Sequence, residues 1–219
     1  MLKSRKSPRV RIVKRMPPEQ RKQQIMDCAR KLFAAGGYYQ TQISDIQKAS
    51  NVARGTVYQY FKSKDDLFTE ILEDLFIKWK EALADTPDPE SEEYKSGLKF
   101  FTYKIKRSFE FFADNPDYCS ILLKIGLGLG ENFDTLISRF DHQIVELAKK
   151  YLTVGIKLGR VHPDTDVELA ANMIGGAFTR MAYFYGVTKK DKDSINIDLL
   201  SETFVKTLSY GFFIEKDVK

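Results

Sequence analysis

Apolar residues recur along this chain at helical spacing, in blocks separated by short polar or Pro- and Gly-bearing breaks. In the first block, Ile25, Cys28, Ala29, Leu32 and Phe33 follow the i, i+3, i+4, i+7, i+8 stripe of a helix with one buried side. Pro17-Pro18 opens that helix, Glu19 places an acid in the first turn, and Gly36-Gly37 ends it. The second block, Thr41 to Lys64 (TQISDIQKASNVARGTVYQYFKSK), reads as helix, turn and helix. Ile43, Ile46 and Ala49 take the inward face, Val52 fills the turn, and Val57 and Phe61 anchor the second helix to the same core. Ser63 with Asp66 makes a capping-box start for a fourth helix. Its apolar face runs through Leu67, Phe68, Ile71, Leu72, Leu75, Phe76 and Trp79 to about Leu83.

Beyond the polar break DTPDPESEE at 85–93, the spacing predicts helices from about Tyr94 to Ala113, Pro116 to about Ile125, and Glu131 to Leu158. GLGLG at 126–130 lacks the spacing and preceding strand of a phosphate-binding loop and reads as a connection. Pro163 is expected to open a helix carrying Leu169, Ala170, Met173, Ile174, Ala177, Phe178, Met181 and Tyr185. TKKDKDS at 188–194 leads to a last helix with Leu200, Phe204, Leu208 and Phe212. No stretch shows sustained period-2 alternation and there is no internal repeat, so the fold is expected to be all-α.

Charge sharpens this picture. The net charge of +5 hides an asymmetry: residues 1–64 hold fifteen Lys and Arg against three acids, and the remainder holds twenty against twenty-seven. One end is built to meet a polyanion and the other is not. Residues 1–17, with Lys3, Arg5, Lys6, Arg9, Arg11, Lys14 and Arg15, read as a basic flexible arm. Such an arm enters an adjacent minor groove or simply adds attraction to phosphates. It lacks the apolar block of a secretion signal, and no apolar run approaches the length of a membrane span, so a cytoplasmic protein is expected. Cys28 and Cys119 are too few and too far apart for a metal knuckle and read as small buried hydrophobes.

At about 100° per residue, the face of the second helix turned away from Val57 and Phe61 carries Gly55, Thr56 and Gln59, with Arg54, Tyr58 and Tyr60 on its flanks. A short helix presenting small, hydrogen-bonding and aromatic residues suits a DNA major groove. ARKLFAAGGYYQTQISDI followed by VARGTVYQYFKSKDDLF resembles the amino-terminal DNA-binding domain of the TetR family of bacterial transcriptional regulators, over roughly Gln20 to Leu72. GRVHPDTDVELAANMIGGAF more weakly resembles that family's entry to its penultimate helix. The resemblance implies a three-helix head at 18–64 and a helical effector-binding and dimerisation domain at 65–219. It also places Thr41, Arg54, Gly55, Thr56, Tyr58, Gln59, Tyr60 and Lys64 at the family's DNA-contact positions. Two residues depart from the pattern. Ala53 stands where the family usually has a capping Ser, and Gln47 replaces a small residue.

Little supports an enzyme. His142 and His162 are the only histidines, and there is no HExxH pair or Gly-x-Ser-x-Gly elbow. No catalytic residue, metal site or cofactor is therefore expected. Phe100, Phe101, Tyr103, Phe109, Phe111 and Phe112 crowd one predicted helix, and Phe178, Tyr183, Phe184 and Tyr185 another. Core and dimer interface account for most of these; the alternative is a cavity for an apolar ligand. The resemblance raises that second reading, in which Phe101, Ile105, Tyr118, Leu122, Phe178 and Tyr183 bind an apolar, aromatic or acyl-chain effector. Gly175, Gly176 and Gly211 in the last two helices suggest close packing at a homodimer seam. The expected function is a homodimeric regulator of operator DNA, a repressor released by its effector. The alternative is a DNA-binding protein of this fold whose second domain takes a protein partner.

Overall fold

The computed structural model describes residues 16–122, 131–188 and 195–209, with the backbone alone for 131–137. The basic arm through residue 15, GLGLG, most of TKKDKDS, Gly211 and Phe212 lie outside the described residues. Every regular element among those described is helical.

Helix α1 (Pro18–Gly36) begins with Pro at its first position and buries Ile25, Met26, Ala29 and Phe33. Met26 takes the buried place expected of Cys28, which is only half-buried; Cys119 is buried as expected. Gly37 ends α1 at φ 84°, a left-handed angle that favours glycine. Helix α2 (Ile43–Ser50) starts with Asp45 accepting the Gln42 N–H at 3.0 Å and stops at Asn51, φ 51°. Asn tolerates that region better than most residues, and it forms the corner between the two helices. Ala49 is exposed, contrary to expectation. Ser50 is buried instead, its hydroxyl satisfied by the Ile46 carbonyl at 2.6 Å.

Helix α3 (Arg54–Tyr60) is fixed by Val57 and, just past its end, by Phe61, both buried. Helix α4 (Lys64–Ala84) is capped by Ser63, whose hydroxyl accepts the Asp66 N–H at 3.0 Å. All eight of its buried residues, Leu67 through Leu83, are those the apolar pattern marks. This helix packs on α1 at one end and on α6 and α8 further along.

The second unit differs from expectation at several boundaries. A single turn, α5 (Glu92–Lys95), precedes α6 (Gly97–Asp114), because Ser96 caps Lys99 and starts the helix afresh. Helix α7 (Pro116–Ser120) follows, then α8 (Glu131–Lys157). Pro163 does not open α9 (Val167–Tyr183); Asp166 does, accepting the Leu169 N–H at 3.0 Å. A carboxylate at the cap satisfies an otherwise orphan N–H, which a proline cannot. Helix α10 (Ile197–Ser209) lies against α6, and α8 lies against α9. Aromatic rings close the core between these layers, among them Phe109 against Phe178 at 5.2 Å and Trp79 against Phe140 at 5.4 Å.

Candidate nucleic-acid interface and effector domain

The eight residues at expected DNA-contact positions divide into four groups, Lys64 standing alone in the last. Arg54, Gly55, Tyr58 and Gln59 are exposed together on α3. The Arg54 guanidinium lies 6.0 Å from the Tyr58 ring centroid, a cation–π distance that holds both on one flank. Thr56 and Tyr60 are half-buried, and Tyr60 packs against the core. Thr41 is only 5% exposed, and its hydroxyl donates to the carbonyls of Gly37 at 2.8 Å and Leu32 at 3.3 Å. Its side chain therefore builds the turn before α2 instead of facing outward.

Lys64 has a divided role. Its ammonium donates to the carbonyls of Tyr38 at 3.0 Å and Thr41 at 3.2 Å and sits 4.2 Å from the Tyr38 ring centroid. An ammonium has three donors, so one N–H is left over. Tyr38 itself donates to Asp65, and burial, with that carboxylate, pushes its hydroxyl pKa upward.

Gly55 stands out for what it lacks. A Cβ built there would meet nothing within 4 Å, although a glycine inside a helix costs about 0.5–1 kcal/mol relative to alanine. No packing among the described residues calls for it. Ala53 is the N-cap of α3, is exposed, and makes no side-chain cap bond, as its identity implies. The half-buried Gln47 accepts the Val52 N–H through its carbonyl at 3.2 Å, so that residue closes the corner with its backbone. Exposed Tyr39, Lys48 and Lys62, with the half-buried Ser44, extend this surface. Only the outward phase of α2 signals Ser44 in the sequence.

In the second unit, the six expected effector residues do not share one chamber. Leu122 and Tyr183 line a groove of about 870 Å³ between α8 and α9, with Phe140 and Val145 below and His142, Lys149 and Arg180 at its rim. Phe101, Ile105 and Phe178 surround a void of only about 40 Å³ against Trp79 and Leu83 of α4. Trp79 Nε1 is buried without a hydrogen-bond partner among the described residues.

Tyr118 lines neither cavity. It is buried where the two units meet, its hydroxyl receiving Arg30 of α1 at 3.1 Å and Lys78 of α4 at 3.3 Å and donating to Asp74 of α4. Desolvation first, and then Asp74, raise the Tyr118 pKa. Helical periodicity marks Tyr118 as inward-facing, which is as true of a polar junction as of a ligand wall. Among the described residues no cluster of three or more His, Cys, Asp and Glu could hold a metal, and no helix is long and apolar enough to cross a membrane.

A helical chain with a basic helix-turn-helix head joined by one long helix to a cavity-bearing unit has the architecture of a DNA-binding regulator. The family model for bacterial regulatory proteins of the tetR family matches residues 25–71. The transcriptional repressor KstR2 of Rhodococcus jostii (strain RHA1) is 32% identical over 87% of this chain and 90% of its own. The fatty acid metabolism regulator protein of Bacillus subtilis (strain 168) is 27% identical over 70% of this chain and 77% of its own. The crystal structure of a regulator FadR from Bacillus subtilis in complex with stearoyl-CoA shares the fold, with a TM-score of 0.69 at 24% identity over 86% of this chain and 98% of that one. The chain belongs to the TetR family of transcriptional regulators. It is a DNA-binding regulator and not an enzyme.

Proposed function

We propose that the chain acts in the cytoplasm as a homodimeric repressor, reading operator DNA through residues 18–64 and releasing it when an acyl-type or other apolar effector enters residues 65–219. The open Cβ position at Gly55 carries the DNA half of this reading. A glycine that no contact among the described residues requires, amid exposed Arg54, Tyr58 and Gln59, lets the α3 backbone approach a partner outside the chain. On this reading Gln59 and Thr56 contact base edges, Tyr58, Tyr60 and Arg54 support them on the flanks, and Lys64 gives its remaining N–H to a phosphate. Thr41 acts through the backbone it positions. The basic arm at 1–17 adds phosphate attraction.

Dimerisation is supported by an outward stripe on α9 and α10. Leu169 is 59% exposed and Met173 49% on α9, and Leu199, 61% exposed on α10, lines an apolar groove of about 480 Å³ between the two helices. Gly176 lies on this stripe with nothing within 4 Å of its absent Cβ, whereas the Cβ of Gly175 would touch Val145 and Ile144 of α8. One glycine thus serves packing within the chain, and the other borders both this stripe and the α8–α9 groove. Two copies are also what DNA reading needs, because one short helix contacts too few base pairs for useful specificity.

The effector half rests on the cavities of the second unit, on the metabolic role in the name of the fatty acid regulator, and on α4 reaching from Lys64 to Leu83. A ligand wedged against Trp79 and Leu83 tilts α4, and recognition helices that must sit about 34 Å apart lose their match to successive major grooves. Genomic fragments retained by the protein provide the test. The protected site should be two-fold symmetric, and log K should fall against log salt with a slope of about −0.9 per phosphate contacted. Affinity unchanged between low and moderate salt would contradict DNA reading by this head.

A further inference from the structure

A second opening in the effector unit lies away from the α8–α9 groove, between α6 and the C-terminal part of α8. It is a pocket of about 380 Å³, walled by Tyr94, Phe100, Leu152, Val154 and Leu158, with Arg160 as the one charged lining residue. That volume falls in the range of roughly 300–1,000 Å³ usual for ligand sites. Arg160 makes no ion pair or side-chain hydrogen bond among the described residues, and no acid lines the pocket. Its aliphatic stem lies against Gly97: a Cβ there would stand 2.8 Å from Arg160 Cδ and 3.0 Å from its Cβ, so a larger residue at 97 would displace the arginine. Gly97 is the first residue of α6 and also lines the pocket, which brings the positive end of an 18-residue helix to the same rim as the guanidinium.

Two residues connect this pocket to the interior. Phe101 and Tyr151 line both it and the void of about 40 Å³ against Trp79. Their side chains are the partition between an apolar pocket open to solvent and the flank of α4. The core behind the partition is incompletely packed: it holds that void, and Trp79 Nε1 is buried there with no partner among the described residues.

We infer that this pocket is the entry port for an aliphatic carboxylate, with Arg160 holding the anionic head and the chain passing Phe101 and Tyr151 toward Trp79. This rests on the effector reading above and adds to it the head group and the route. Guanidinium is suited to the part, since its fixed fork of N–H donors matches a carboxylate in two parallel bonds. The apolar walls select a hydrocarbon tail, and a cation without a nearby acid selects a negative head. Turning Phe101 and Tyr151 aside would let the tail reach α4, so occupancy and helix position become linked.

The test uses the full-length protein, calorimetry, and the emission of Trp79, the only tryptophan. Dodecanoate should bind saturably and change Trp79 emission. Arg160→Gln should weaken dodecanoate about tenfold, as expected for losing a charge-assisted pair, and leave dodecanol unchanged. Val154→Phe narrows an exposed rim without touching the core and should weaken both probes. Dodecanoyl-CoA, whose carboxyl is esterified, should bind the native protein and Arg160→Gln alike. Equal dodecanoate affinity in the native protein and Arg160→Gln, or an Arg160→Gln loss confined to the CoA ester, would overturn the assignment. Operator binding separates this from the broader reading. If dodecanoate binds through Arg160 without loosening DNA, the port stands and effector release fails. If an acyl compound releases DNA equally from the native protein and Arg160→Gln, release stands and the port fails.

Discussion

The two ends of α4 are held by the same chemistry to different effect. At the head, Lys64 donates to the carbonyls of Tyr38 and Thr41, so the first residue of α4 is tied to the turn before α2. At the far end, Lys104 of α6 donates to the carbonyls of Leu83 at 2.8 Å and Asp85 at 2.5 Å, tying the end of α4 to the effector unit. Tyr103 adds a bond to the Asp85 carboxylate at 2.6 Å, and that hydrogen bond holds the Asp85 pKa below its ordinary value. A cation at a helix C-terminus is favoured by the dipole, whereas one at the N-terminus is opposed by it and here sits beside Asp65 and Asp66. Each ammonium makes two carbonyl bonds, but Lys104 is 5% exposed whereas Lys64 is partly exposed, so only at Lys64 does the third N–H face a partner from outside. The far anchor is sealed and structural, and the near anchor can exchange a partner for a phosphate. A helix held this way moves as a strut.

The largest effect should come from the sealed end. Lys104→Ala leaves two helix-terminal carbonyls without their cation and opens a hole beside Ile105, and should cost about 3 kcal/mol in urea unfolding. Lys104→Met keeps most of the volume and separates charge from packing. Burial lowers the Lys104 pKa, so the folded protein releases this proton before the unfolded chain does. Stability from this group should therefore rise as pH climbs toward the ordinary lysine value of about 10.5, a gain that Lys104→Met should lack. A mutant no less stable than the native protein would remove Lys104 as an anchor.

Next in size is the junction between the units. Tyr118→Phe deletes the hydroxyl shared by Arg30, Asp74 and Lys78 and should cost about 1–3 kcal/mol, measured by thermal unfolding. Phe at this position keeps the ring, so an unchanged melting temperature would mean that the three charged groups pair without it.

At the open end the cost to the fold is smaller and the cost to DNA binding larger. Lys64→Ala should lower stability by about 1 kcal/mol through the two lost carbonyl bonds, and weaken specific and random DNA alike. The salt slope should fall by about one per protomer. A loss confined to operator sequence would make Lys64 a base reader instead of a phosphate clamp.

The smallest changes sharpen the contrast most, because stability and binding should part. Gly55→Ala fills open space and should stabilise by about 0.5–1 kcal/mol while weakening operator binding. Ala53→Ser supplies the missing cap on an exposed position and should add about 1 kcal/mol with DNA binding intact. Gly55→Ala that binds operator as tightly as the native protein would remove the close-approach argument.

Much of the head is legible in the sequence because its signals are local. Proline at the start of α1, Gly37 at its end, Ser63 as the cap of α4 and the long apolar face of α4 each specify their own geometry. Local signals mislead where two residues compete for one role. Ala49 and Ser50 both fit the inward phase of an eight-residue helix, and the hydroxyl that bonds back to Ile46 takes the buried place. Pro163 and Asp166 both signal a helix start, and the side chain able to cap wins. The effector site is less legible because periodicity gives a buried face but not what that face meets. Phe101 and Phe178 meet a void, Leu122 and Tyr183 a groove, and Tyr118 a cluster of charges. The commitment of Lys64 to two carbonyls far away in sequence is likewise visible only in three dimensions.

The strut account makes one demand that packing alone does not. If α4 links the two sites, ligand and operator must oppose each other by the same factor from either direction, commonly 1–3 kcal/mol for natural couplings. Trp79, in the far half of α4 and ringed by the inner void, reports ligand arrival there. Ligand affinity is therefore read from Trp79 emission with and without saturating operator DNA, and operator affinity with and without saturating ligand. The account predicts that both affinities fall by one common factor, and that Tyr118→Phe shrinks it. Ligand affinity identical with and without operator, for a ligand that changes Trp79 emission, would contradict it.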